Sequence, residues 1–139
     1  MREQARVLFV CIENSCRSQM AETFARLYAQ DTIQAFSAGS RPSGQIDPKA
    51  VAVMAELGYS MTSHYSKSLS EIPQIKYDYV ITMGCGDECP FIPADTHEDW
   101  DLPDPKLLPL DEFRQVRDRI GERVKELAAR IEVRNHAKR

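Results

Sequence analysis

The feature that most constrains the fold is Arg6-Val-Leu-Phe-Val-Cys11, a β-branched apolar run with no polar alternation. A strand wetted on one side alternates apolar and polar residues, so a run without alternation must be covered on both faces. It therefore predicts a central strand. Downstream, segments of strand length alternate with segments of helical period, the α/β pattern. After Ser18, residues Met20, Phe24, Leu27 and Tyr28 recur at helical spacing, and Thr32 to Ala38 reads as a second strand. Asp47-Pro48 starts another helix, as an N-cap followed by proline, with Gly58 as its stop. Tyr77 to Thr82 reads as a third strand and Glu98 to Leu102 as a short edge strand. From Asp111, residues Phe113, Val116, Ile120, Val124, Leu127 and Ile131 form one helical stripe across a helix-weakening Gly121. Right-handed crossovers then give a three-layer α/β/α sandwich, with ligands binding at the carboxyl ends of the strands. Cys11 closes one of those ends.

With 139 residues, 42% of them hydrophobic, the chain can bury one core and no more, so one domain over residues 1–134 and a basic tail over 135–139 are expected. Basic and acidic residues nearly balance, 18 against 21, which provides no global field for nucleic acid or an anionic membrane. The first apolar run is too short for a signal peptide or a membrane span, and a cytoplasmic, monomeric protein is expected. In that compartment the four cysteines point to metal binding, redox chemistry or nucleophilic catalysis rather than structural disulfides.

Cys11-Ile-Glu-Asn-Ser-Cys-Arg17-Ser18 joins the central strand to a helix, so its backbone N–H groups can converge on an anion at the positive end of that helix. Arg17 adds planar, permanently charged donors. The oxyanion-binding set is thus Glu13, Asn14, Ser15, Cys16, Arg17 and Ser18, with the Glu13 carboxylate turned away from the anion. The same donors would stabilise a Cys11 thiolate, with the Ser18 hydroxyl beside it and Asn14 suited to a turn with positive φ. Cys16 reads as a small buried residue rather than a reacting one. The pairs Cys11/Cys16 and Cys85/Cys89 could instead hold zinc, although the first spacing is loose for that purpose. Nothing in the pattern assigns a function to His64, His97 or His136, and Trp100 reads as core.

The Cys-x5-Arg-Ser loop resembles that of the low-molecular-weight tyrosine phosphatases and their arsenate reductase branch, in particular the thioredoxin-coupled type. The resemblance extends through Ser37-Ala-Gly39, the Asp47-Pro48 helix, Gly58 to Ser66, Tyr77 to Met83 and Trp100-Asp-Leu-Pro-Asp-Pro105. It implies a four-stranded parallel sheet in the order 2-1-3-4 and a general acid at Asp104, with Asp101 the weaker candidate. It also implies a relay: Cys11 attacks arsenic, Cys85 attacks Cys11, and Cys89 takes over Cys85, leaving a disulfide for an external reductant. That donor would be thioredoxin or glutaredoxin. Phosphate or sulfate would stand in for arsenate in the loop, and no metal or other cofactor is needed.

Two departures sharpen the resemblance. The phosphatase branch carries aromatic residues after Asp-Pro, where this chain has Lys106-Leu-Leu-Pro109. A phosphatase acting through a phosphocysteine needs only Cys11, Arg17 and Asp104, and is the alternative that Cys85 and Cys89 argue against. Some members bind potassium through residues matching Asn14, Glu22 and Ser37 plus an aspartate. Lys67 stands at the aspartate position, which suggests that its ammonium replaces the ion.

Overall fold

The computed structural model describes residues 4–84 and 89–137. Four parallel strands, β1 (Ala5–Cys11), β2 (Ile33–Gly39), β3 (Tyr77–Thr82) and β4 (Ala94–Asp99), form one sheet in the order β2-β1-β3-β4. Three helices accompany them, α1 (Arg17–Tyr28), α2 (Pro48–Ala55) and α3 (Leu110–Ala137). The unalternating run accordingly lies at the centre, where Val7, Leu8, Phe9 and Val10 have no solvent exposure.

The pleat sends alternate side chains of β1 into separate clusters. Val7, Phe9 and Cys11 join Met20, Phe24, Met54, Trp100, Phe113 and Ile120 beneath the three helices. Leu8 and Val10 face Ala38, Ile72, Tyr77 and Val80 on the opposite side. Among the described residues that second face is covered by a 3-10 turn, Leu69–Glu71, and by extended chain around Ile72, Ile75 and Ile92. The third layer is therefore thinner than the helical one.

The stripe of α3 is buried along its whole length, from Phe113 to Ile131. Each such side chain contributes about 1.5–3 kcal/mol on leaving water, which outweighs the propensity cost of Gly121. That glycine also has a packing reason, since a Cβ there would lie 3.0 Å from the Phe24 ring of α1. The helix continues to Ala137, three residues into the segment expected as a tail. At α2, the Asp47 carboxylate accepts from the Lys49 N–H at 2.8 Å, and Gly58, at φ +86°, closes the far end by donating to the Ala55 carbonyl.

The edge strand lies earlier than the sequence pattern suggests. Trp100 and Leu102 are buried in the helical core and leave the ladder, whereas Ala94 to Asp99 pairs with β3 through backbone bonds that no apolar alternation announces. Registry brings Cys11 level with Gly39, and Thr82 level with Asp99, so the carboxyl ends of all four strands open on one side. Gly39 is essential to that arrangement. A Cβ there would lie 2.5 Å from the Ile12 carbonyl oxygen and 2.9 Å from the Asn14 nitrogen. Gly39→Ala is therefore expected to cost ~1–3 kcal/mol in urea unfolding, as overpacking against a fixed backbone does.

Candidate active site

The loop between β1 and α1 gains its shape from what its carbonyls do. Ile12 O accepts from Arg41 N at 2.8 Å, Glu13 O from Ser43 N at 3.1 Å, Ser15 O from Asp47 N at 3.0 Å and Cys16 O from Met20 N at 2.9 Å. Glu13 O also accepts the Ser66 hydroxyl at 2.9 Å. Within a trans peptide, C=O and the following N–H point in opposite directions. Carbonyls drawn outward thus turn the N–H groups of Asn14, Cys16 and Arg17 inward, at the start of α1, where the helix dipole favours an anion. Cys11, Ile12, Glu13, Ser15, Cys16, Arg17 and Asp104 line the resulting small cleft.

Asn14 holds the turn at φ +51°, a conformation asparagine tolerates better than most residues. Its side chain also fixes a direction for protons. The Lys67 backbone N–H can only donate, so the atom it reaches at 2.9 Å is the carbonyl oxygen Oδ1. Asn14 Nδ2 therefore points the other way and donates to Ser18 Oγ at 2.8 Å. That leaves the Ser18 hydroxyl 2.9 Å from Cys11 Sγ, where it donates whenever the sulfur is a thiolate. Gln19 braces the same amide, donating to Asn14 Oδ1 at 2.8 Å and to the Tyr65 carbonyl at 2.9 Å. Its oxygen is then left to accept from His64 Nδ1 at 3.1 Å, while His64 Nε2 accepts the Tyr59 hydroxyl at 3.0 Å. The neutral Nδ1–H tautomer satisfies every partner in this chain. Burial, in agreement, pushes the His64 pKa below the ordinary histidine value against the opposing pull of Glu22.

Arg17, buried at the first turn of α1, donates through Nη1 to the Met83 and Leu102 carbonyls, the latter at 2.9 Å. These carbonyls follow β3 and β4, so one edge of the guanidinium pins both strand ends while the other faces the cleft. Nη2 lies 3.9 Å from Asp104 Oδ2, and the Asp104 side chain is 54% exposed. Two further sequence-assigned positions, Cys16 and Glu13, differ in kind. Cys16 donates to Asp47 Oδ2 at 3.4 Å, and burial reinforced by the Asp47 carboxylate pushes its thiol well above the usual thiol range. Cys16 therefore stays neutral and contributes backbone rather than sulfur. Glu13 turns its carboxylate to Lys106, with both oxygens within 3.0 Å of Nζ.

Cys11 and Cys16 are free, and Cys89 is disulfide-bonded and packs on the Leu8–Val80 cluster. Cys85 lies outside the described residues. Gly84, which precedes it, adopts φ +73° so close to Arg17 that a Cβ would meet Nη1 at 3.1 Å. Lys67 Nζ lies 3.2 Å from Ser37 Oγ, 3.4 Å from the Tyr65 carbonyl and 3.6 Å from Glu22 Oε1. The ammonium thus reaches two of the oxygens expected to hold potassium, those of Ser37 and Glu22, while Asn14 Oδ1 takes the Lys67 backbone N–H, and it would repel a second cation. The sequence pattern gave Gln19, Tyr59 and Lys106 no role of their own. Each acts only through the fold.

The family model described as low molecular weight phosphotyrosine protein phosphatase matches residues 6–137. A glutaredoxin arsenate reductase of Synechocystis sp. is 40% identical over 129 residues, covering 91% of this chain and 98% of that protein. Arsenate reductase 1 of Staphylococcus epidermidis is 36% identical over 129 residues, covering 90% and 96%. A solved structure described as an arsenate reductase in the phosphate binding state superposes with a TM-score of 0.83 at 38% identity, covering 92% of this chain and 99% of that one.

Two outcomes follow from the polar network. Because the His64 pKa is lowered on folding, its contribution to stability is full above the unfolded value of about 6.5 and declines as pH falls below it. Urea titrations at pH 7.5 and pH 5 should therefore show a larger loss for the wild type than for His64→Gln. Potassium should leave the wild-type melting temperature unchanged relative to sodium but raise that of Lys67→Ala, in which the ammonium is gone.

Proposed function

Because this chain belongs to the low molecular weight phosphotyrosine protein phosphatase family, we propose that it uses the Cys11 loop to reduce arsenate to arsenite. Arsenate has the tetrahedral shape and charge of phosphate, so inward N–H groups and the free edge of Arg17 suit either oxyanion. The observation that carries the redox reading is the contact of Gly84 with Arg17. It brings the chain to within one residue of Cys85 beside the guanidinium whose other edge faces the oxyanion cleft, at the strand end that β3 supplies.

The chemistry proceeds in three exchanges. The Cys11 thiolate, with the Ser18 proton beside it, attacks arsenic, and Asp104 protonates an arsenic-bound oxygen so that it leaves as water. Cys85, as thiolate, then attacks Cys11 Sγ. The sulfur–arsenic bond breaks with its electron pair going to arsenic, which falls from the +5 to the +3 state and departs as arsenite while a Cys11–Cys85 disulfide forms. Cys89 next attacks Cys85, freeing the Cys11 thiolate and leaving a Cys85–Cys89 disulfide. An external dithiol, glutaredoxin or thioredoxin, supplies two electrons to reopen it. The resemblance to a protein named glutaredoxin arsenate reductase favours glutaredoxin with glutathione. Neutral Cys16 lies next to this sequence without entering it. Among the described residues, no helix is long and apolar enough to cross a membrane. We further propose that the enzyme works as a cytoplasmic monomer, in the compartment that keeps such thiols reduced.

The test is arsenate-dependent NADPH oxidation with a glutaredoxin/glutathione set and with a thioredoxin set, beside p-nitrophenyl phosphate hydrolysis. Cys11→Ser should abolish both reactions, and Asp104→Asn should slow arsenate turnover by ~10²–10⁴-fold, the usual worth of a positioned acid. Cys85→Ser should abolish arsenate turnover while leaving any ester hydrolysis in place. Intact arsenate turnover in Cys85→Ser would overturn the relay, and ester hydrolysis without arsenate reduction in the wild type would make the protein a phosphatase.

A further inference from the structure

Asp104 has a weak hold on the site it serves. Arg17 Nη2 is 3.9 Å away, beyond hydrogen-bond reach, and the aspartate is more than half exposed. It lies on an irregular segment between buried Leu102 and the start of α3 at Leu110. What fixes the carboxyl is Lys106, whose backbone N–H donates to Asp104 Oδ1 at 3.1 Å and leaves Oδ2 on the Arg17 side. The same lysine then reaches across the cleft. Its Nζ bonds both carboxylate oxygens of Glu13, at 2.9 and 3.0 Å, and Glu13 lies on the opposite wall, in the loop that carries Cys11.

A second tie runs from α2. Asp47 N–H donates to Ser15 O, and Lys49 Nζ donates to Leu108 O at 2.9 Å, so the start of α2 touches the oxyanion loop and the far end of the Asp104 segment. Leu108 N–H closes a turn onto Pro105 O at 2.9 Å. The Asp104 segment is thus held by buried Pro105 and by Lys49 of α2, which reaches Lys106 O at 3.5 Å as well as Leu108 O, while the Glu13–Lys106 pair ties it across the cleft to the Cys11 loop. The two contacts meet in one residue, whose backbone N–H serves Asp104 and whose ammonium serves Glu13.

We propose that Glu13 and Lys106 are positioning residues, an ionic clamp that holds the Asp104 segment against the Cys11 loop so that the carboxyl faces the bound oxyanion. This rests on the reading of Asp104 as the acid. It also gives a purpose to an acidic side chain on an anion-binding loop, where it would otherwise repel the substrate. Held by Lys106, the Glu13 charge is balanced at the rim. Both side chains are partly exposed, at 35% and 49%, so the clamp is screened by salt and can open for substrate entry and product exit.

The test uses pre-reduced enzyme in excess over arsenate, with arsenite release followed in a single turnover. Glu13→Gln and Lys106→Met should each lower the maximal rate by about three- to fivefold, the scale of an exposed ion pair. Their effects on half-saturation should be opposite, tighter for Glu13→Gln and weaker for Lys106→Met, since one removes a negative and the other a positive charge near the anion. Exchanging the pair, Glu13→Lys with Lys106→Glu, should restore the maximal rate to within about twofold of wild type, as coupled residues do in a double-mutant cycle. If both single variants keep the wild-type maximal rate, or the exchanged pair is no faster than the slower single variant, the clamp is overturned. Asp104→Asn separates the two readings. If it is slow while the single variants are fast, the clamp alone fails; if it is as fast as wild type, the assignment of Asp104 as the acid fails.

Discussion

The site depends on one buried amide. Asn14 has no solvent exposure, and its side chain is bonded at both ends, to Lys67 N–H and Gln19 on the oxygen and to Ser18 on the nitrogen. A buried amide left unpaired costs about 1–3 kcal/mol, so each partner has a strong reason to stay where it is. Its positive φ is in turn what reverses the chain between β1 and α1. Backbone conformation, the inward N–H groups and the Ser18 hydroxyl beside Cys11 are therefore consequences of a single residue's bonding, and a shift at any partner reaches the sulfur through it.

A further layer of control comes from how charge is distributed. The cleft receives a permanent cation at Arg17, whose Nη1 is committed to two carbonyls and cannot swing out of place. The neighbouring thiol, Cys16, is kept neutral by burial and by Asp47. Of the two cysteines five residues apart in this loop, Cys16 is thus kept as a thiol by its surroundings rather than by its residue type. Below the loop, Lys67 fills with a covalently attached ammonium a position among oxygens that a dissociable ion could otherwise occupy.

How much of this could be read beforehand divides along sequence separation. The central strand and the long helix were legible, because Val7 to Val10 and the Phe113 to Ile131 stripe are patterns of burial written locally. So were the placement of Cys11 and Arg17 on either side of a strand-to-helix turn and the positive φ of Asn14, all within one short loop. The partners that orient Asn14 were not. His64 is 45 residues from Gln19, and Lys106 is 93 from Glu13, separations that only the sheet order brings together. β4 was displaced for a related reason: its place is decided by a backbone ladder to β3, while the apolar residues just beyond it serve the core.

The polarity that hid β4 also has a use. It is an edge strand, with one row of backbone groups turned away from the sheet, and such rows invite pairing with strands of other chains. Asp95, His97 and Asp99 are exposed along it, so an incoming strand would have to lie beside a band of charge instead of an apolar surface. A parallel sheet with a strongly apolar centre can in this way remain resistant to open-ended stacking at its β4 margin, where side-chain charge is the available defence.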